Sequence, residues 1–250
     1  MAVDYIAVIE REAAGIVAAY AADPAGKIPW SDRWSVNTVA RHVAGAHHVV
    51  AQVIEWRPTA DFGLFASLDR PAKGDPGFPA WFAAATEALV AQCQVAPPAD
   101  PCWTTVHRDL GGTVGFWPRR MANETLVHRW DAEVGAGIVG PAMDPVVAAD
   151  AIDEYLDLAV AASRALHSSP PGPAVHLACT DADQEWYLDL SEAGRRTLHA
   201  EPIDVALSLR GGAEALLLLV YGRLDADRAG VDVEGDRDLL PSWNELIQPL

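Results

Sequence analysis

From the N-terminus to about His167, apolar residues recur at steps of three and four, the spacing that gives a helix one buried stripe. Five helices are predicted: Val3 to Ala21, Val36 to Trp56, Ala80 to Cys93, Trp117 to Val134 and Pro145 to His167. Ser35 stands where its hydroxyl can accept from a first-turn amide of the second helix. Breakers separate these stretches: Pro24 and Pro29, then Pro58, Gly63, Pro71, Gly74, Pro76, Gly77 and Pro79, then Pro97, Pro98 and Pro101. The long connection between the second and third helices belongs on the surface, where it can roof a site.

After Ser168-Ser-Pro-Pro-Gly-Pro173 the pattern changes, because three prolines and a glycine in six residues continue neither helix nor strand. Strands are predicted at Val175 to Thr180, Glu185 to Leu190, Thr197 to Glu201 and Val205 to Arg210. A buried helix over Ala213 to Leu224, a strand over Val231 to Glu234 and a closing helix over Asp238 to Ile247 follow. No internal repeat is visible. The expected class is α+β, a helical bundle over 1–168 joined to a small α/β domain over 174–250.

Half of the 250 residues are hydrophobic, enough for a substantial core. Lys and Arg number 18 against 35 Asp and Glu, and the net charge of −17 repels phosphate backbones and anionic lipid. Nucleic acid and membrane are therefore not expected partners. Cys93, Cys102 and Cys179 form no CxxC pair and read as reduced, buried thiols. Asp4, Glu10 and Glu12 stand where a signal peptide needs basic and then apolar residues, and Ala215 to Tyr221 is too short to span a bilayer. A cytoplasmic monomer or homodimer acting on small molecules is expected.

Chemistry concentrates in Trp117-Pro-Arg-Arg-Met-Ala-Asn-Glu-Thr-Leu-Val-His-Arg-Trp-Asp131. Glu124 and His128 are four apart and share a helix face, so one cation can bridge them, with zinc, nickel or iron suited to the donors. The same spacing also arises in solvated ion pairs. Asp131 is placed to accept a ring N–H from His128. A third ligand must come from another helix, and the second helix offers His42, His47 and His48. At ~100° per residue these three point in different directions, so at most one serves the same ion. His42 is the better candidate, since Ala40, Ala44 and Gly45 around it let a neighbouring helix approach; the alternative is a hydrogen-bonded core histidine.

These segments together resemble the mycothiol-dependent maleylpyruvate isomerase family, a branch of the DinB-like metal-binding four-helix bundles. Trp34-Ser-Val-Asn-Thr-Val-Ala-Arg-His-Val-Ala-Gly45 is similar to the family's second-helix stretch, which makes His42 a metal ligand. Arg119-Arg-Met-Ala-Asn-Glu-Thr-Leu-Val-His-Arg-Trp-Asp-Ala-Glu133 is similar to its later signature, which supplies Glu124 and His128. The resemblance implies a divalent metal, most often zinc, and mycothiol as cosubstrate. Leu216 to Leu224 with Gly230 to Asp236 is similar to the family's C-terminal domain, related in shape to sterol carrier proteins. There Arg223 matches an arginine implied in catalysis; its other reading is a helix-end cation paired with Asp225 or Asp227.

The function implied is a metal-dependent and thiol-dependent transferase or isomerase. A metal-activated thiol adds to an activated alkene, which rotates and eliminates, or it displaces halide ion from a halide or opens an epoxide and stays attached. No protein cysteine is required. Arg223, with Arg120 or Arg129 as alternatives, can hold a substrate carboxylate. Two rivals stand beside this reading: a hydrolase whose metal activates water on the same ligands, and a non-enzymatic carrier whose nine tryptophans line an apolar pocket. His107, His167, His176 and His199 lack ligand spacing, and Arg108-Asp109 lacks the glycine-rich loop that a phosphotransferase needs.

Overall fold

The computed structural model describes residues 2–57, 68–104, 112–166, 172–191, 197–199 and 201–242. His107, the Arg108-Asp109 pair, His167, Ser168 and Trp243 lie outside the described residues. The chain divides into two compact units, Met1–Pro141 and Ala142–Leu250.

The first unit is a bundle of four helices: α1 (Tyr5–Ala22), α2 (Val36–Trp56), α3 (Phe78–Val95) and α4 (Phe116–Gly135). Each lies within two residues of its predicted position. Asp4 caps α1 by accepting from the Ala7 amide, and Ser35 caps α2 by accepting from Thr38. The apolar stripes meet in a core that includes Ile16, Val36, Val39, Val43, Phe78, Phe82 and Ala132.

The helices do not simply alternate in direction. On α2 and α3, Arg41 lies over the Phe78 ring and His47 contacts Thr86, so the two run the same way. Between α2 and α4 the order reverses, with Val36 near Gly135 and His42 against Glu124. A parallel neighbour can be reached only by returning along the bundle, and α2 with 21 residues is ~31 Å long. That return is what the long connection between α2 and α3 supplies. Its described part lies along α2: the Arg41 guanidinium donates to the Pro71 carbonyl at 2.6 Å, and the Arg70 guanidinium lies over Gly45, where a Cβ would meet it at 3.0 Å. The small residue at 45 thus admits an arginine of the crossover rather than another helix.

α4 is held to α1 by buried charge. Arg129, 3% exposed, bonds Glu133 at 2.5 Å one turn on and contacts Glu12, itself 2% exposed, on α1. Arg11 closes the set on Glu12 at 2.6 Å. This removes Arg129 from the candidates for holding substrate. His47 is the hydrogen-bonded core histidine, fully buried between Thr86 of α3 at 3.1 Å and Thr125 of α4 at 2.9 Å.

The second unit opens with α5 (Pro145–Leu166), followed by β1 (Val175–Cys179), β2 (Glu185–Asp189), β3 (Thr197–His199), β4 (Leu207–Gly211), α6 (Ala213–Val220), α7 (Ala226–Ala229) and β5 (Asp232–Gly235). The sheet order is β3-β2-β1-β4-β5, parallel only between β1 and β4. Val175, Leu177, Trp186, Leu188, Leu207 and Leu209 are its buried face. α5 packs in this unit rather than in the bundle: the Trp186 indole donates to Asp153 at 3.0 Å, and the Tyr155 and Tyr221 rings lie 4.5 Å apart. The unit boundary therefore falls after Pro141, not at 168, because periodicity shows that a segment is helical but not which partner buries its stripe.

The helix predicted to run to Leu224 stops at Val220, ahead of Gly222 with φ +66°. The predicted closing helix is a 3₁₀ segment, Arg237–Ser242, containing Pro241, which has no amide to donate; the rest lies outside the described residues. Among the described residues no helix is long and apolar enough to cross a membrane.

Two outcomes follow from the buried polar groups of the bundle. Arg129→Met strands Glu133 as a buried charge, leaves Glu12 with Arg11 alone and is expected to cost about 3–5 kcal/mol in urea unfolding, whereas a cost below about 1 kcal/mol would show that the network does not hold α1 to α4. Burial pushes the His47 imidazole down to about 3, while the unfolded chain binds its proton near the ordinary 6.5. Stability from this group is therefore complete above 6.5 and lost on acidification at up to about 1.4 kcal/mol per pH unit. His47→Gln should flatten the acid limb of stability against pH.

Candidate metal centre

His42 comes from α2, and Glu124 and His128 come from successive turns of α4. Glu124 Oε1 lies 2.8 Å from His42 Nε2 and 3.2 Å from His128 Nε2. One donor atom from each of the three residues can be chosen so that all lie within 4.8 Å of one another. Donors on one zinc-like ion at ~2.0–2.1 Å stand ~3–4 Å apart, so small side-chain adjustments suffice to receive a cation. Two imidazole nitrogens and one carboxylate oxygen also suit such an ion chemically. The residues present fit the group.

The other atoms of the set are occupied. His128 Nδ1 lies 2.8 Å from Asp131 Oδ2, so the ring donates there and turns Nε2 toward Glu124. Glu124 Oε2 is in contact with the Arg120 guanidinium one turn back on α4. Trp34, held at the entry to α2 by a bridge between Lys27 and Ser35, stacks on His128 at 5.6 Å and tilts against His42 at 5.2 Å. The His42 side chain is 35% exposed against 11% for His128, so the opening to solvent is on the α2 side.

Charge here is balanced by contact. Burial works against ionisation of Glu124, but Arg120 and His128 outweigh it and hold the carboxyl well below its usual range. Burial likewise opposes the His128 imidazolium, yet Glu124 and Asp131 raise its pKa to about 9. The neighbouring histidines are placed elsewhere: His47 in the core and His48 against Trp81 at 4.9 Å.

Residues 7–133 match the family model described as the mycothiol maleylpyruvate isomerase N-terminal domain, and 146–242 match that of the corresponding C-terminal domain. The chain belongs to the mycothiol maleylpyruvate isomerase family. Among solved structures it is similar to a histidine-to-alanine mutant of mycothiol-dependent maleylpyruvate isomerase, with a TM-score of 0.61, 11% identity and 93% of each chain covered. At that identity the likeness is one of fold. No curated protein matches the sequence. His42, Glu124 and His128 all fall in the part matched to the family's N-terminal domain, and Arg223 falls in the part matched to its C-terminal domain.

Within the second unit Arg223 donates to the Tyr221 carbonyl at 2.9 Å, lies 5.8 Å from the Tyr221 ring and lines a cavity of about 530 Å³ with Leu219, Leu224, Arg228, Arg237 and Leu240. Beside it Asp225 caps α7 and Asp227 bonds Arg237. The three cysteines are free thiols; Cys102 is buried, but Cys93 and Cys179 are only partly so, correcting the expectation for those two. Burial pushes Cys93 up to about 12 and Cys179 to about 11, far from the thiolate range of a nucleophile.

Arg120, a candidate for holding substrate, instead contacts Glu124, and the i, i+4 spacing of the two makes that contact legible in the chain. Trp34 belongs at sequence level to the family stretch and to the nine tryptophans of the carrier reading, and its position carries no signal that it packs on His42 and His128.

Below about 9 the proton sits on His128, and a cation must displace it. Titration with Co²⁺ is expected to release about one proton per site and to lose about tenfold in affinity per pH unit from 8 to 6; an affinity flat over that range would count against binding at His128.

Proposed function

We propose that this family member is a metal-dependent enzyme that uses a low-molecular-weight thiol, mycothiol by family likeness, on a small electrophile, in a transfer or isomerisation. The convergence of His42 Nε2, His128 Nε2 and Glu124 Oε1 carries the reading. A divalent cation held there, zinc above others, supplies charge that lowers the pKa of a bound thiol and makes it nucleophilic near neutral pH.

The chain's own residues do the rest. Asp131 holds His128 in the tautomer that leaves Nε2 free as a donor atom, and Trp34 walls one side of the site with an apolar face. The cysteine thiols, raised by burial, leave the attack to an external thiol. For an alkene substrate the sulfur adds to one carbon, the remaining single bond rotates, and elimination returns the thiol and the isomerised alkene, so nothing is consumed. Arg223 is assigned to the substrate's anionic group, a role that a guanidinium fills by two parallel hydrogen bonds.

Assays with mycothiol and maleylpyruvate test this directly. Turnover is expected to require both the thiol and a divalent cation, and His42→Ala or His128→Ala should each lose at least about 100-fold in kcat/KM. Arg223→Lys is expected to raise KM by about tenfold, since a point charge replaces the fork. Metal-dependent turnover of ester or amide substrates at full rate without thiol would replace this reading with the hydrolase. A protein that takes up no divalent ion would replace it with the carrier.

A further inference from the structure

The two oxygens of Glu124 are used differently. Oε1 faces both imidazoles, at 2.8 Å from His42 Nε2 and 3.2 Å from His128 Nε2, while Oε2 contacts Arg120 Nη2. A carboxylate left to itself can bind a cation through both oxygens and so take two coordination positions. A catalytic site of this kind works with three protein donors and an open place for the reacting group. We propose that Arg120 is a positioning residue that keeps Glu124 a one-oxygen ligand, reserving a coordination position for the thiol. The inference rests on the reading of this site as a metal centre.

The local structure suits the task. Arg120 and Glu124 are one turn apart on α4, so their side chains meet without distortion of the helix. Both are shielded, at 17% and 15% exposure, so water competes weakly for Oε2 and the charge-assisted bond is strong. Three donors remain, Oε1 and the two Nε2 atoms, all turned toward one another, and a fourth from Glu124 is withheld.

The test uses Co²⁺ on the full chain, comparing wild type with Arg120→Met and Arg120→Gln, which remove the charge while retaining part of the stem, and with Arg120→Lys, which can still donate to Oε2. Four-coordinate Co²⁺ absorbs visible light strongly, and higher coordination weakens the bands. Wild type is expected to show strong bands and, with N-acetylcysteine, a sulfur-to-cobalt charge-transfer band. In Arg120→Met and Arg120→Gln the visible bands should weaken and the N-acetylcysteine affinity fall about tenfold or more, with Arg120→Lys recovering much of both.

A merely structural role for Arg120 would change stability or metal uptake without changing band intensity. If either removal variant binds one Co²⁺ per chain with wild-type intensity and thiol affinity, the inference is overturned while the metal reading stands. If wild type itself binds no Co²⁺, the metal reading falls and takes this inference with it.

Discussion

The bundle is governed by the cost of burying charge on one helix. α4 carries Glu124, His128, Arg129, Asp131 and Glu133 largely out of water, and an ionised group in that position is tolerated only with a partner at hydrogen-bond distance. Each partner is found either one turn away on α4 or on a facing helix. Arg129 bonds Glu133 along the helix and contacts Glu12 across to α1. Glu124 meets Arg120 along the helix and His42 across to α2. The same requirement thus ties α4 to two neighbours by different charges: one tie is closed and structural, the other opens to solvent beside His42.

That division depends on helix direction. Because α2 runs opposite to α4 and parallel to α3, His42 comes level with Glu124 and His128 while His47 lies between Thr86 and Thr125. The two histidines are little more than a turn apart on α2, yet one is neutral in the core and the other borders solvent. The crossover that makes the parallel arrangement possible also brings Arg70 over Gly45, one turn beyond His42. The return path is therefore part of the site's surroundings and not only a connection.

Much of this was legible in the chain because it is local. The Glu124–His128 spacing, the Ser35 cap and the helix spans follow from a repeat of 3.6 residues, and the angular argument that separates His42 from His47 and His48 uses the same number. Partners across the fold were not legible. Nothing in the spacing of Arg129 distinguishes a buried anchor from a substrate clamp, since the deciding residue, Glu12, lies on α1. The stripe of α5 likewise does not say whether a bundle or a sheet covers it, so periodicity alone cannot place Pro145–Leu166 in the second unit. The partial exposure of Cys93 and Cys179 is not legible for a related reason: a small apolar side chain carries no directional signal of its own.

The charge balance of the site narrows what it can receive. Glu124 and Asp131 are matched by Arg120 and by a protonated His128, whose pKa near 9 keeps it charged at neutral pH. If, as proposed, a dication took the place of that single proton, one surplus positive charge would remain in a shielded place, and a single bound anion would restore neutrality. A thiolate and a hydroxide satisfy this equally. Their discrimination would fall to the surroundings, which include the indole of Trp34, against both imidazoles. An aromatic face offers a polarisable sulfur contacts worth about 0.3–1.5 kcal/mol, and gives a small, strongly hydrated hydroxide little in return for its lost water. On the proposed reading, electrostatics would set the charge of the ligand, and Trp34 would tilt the choice toward sulfur.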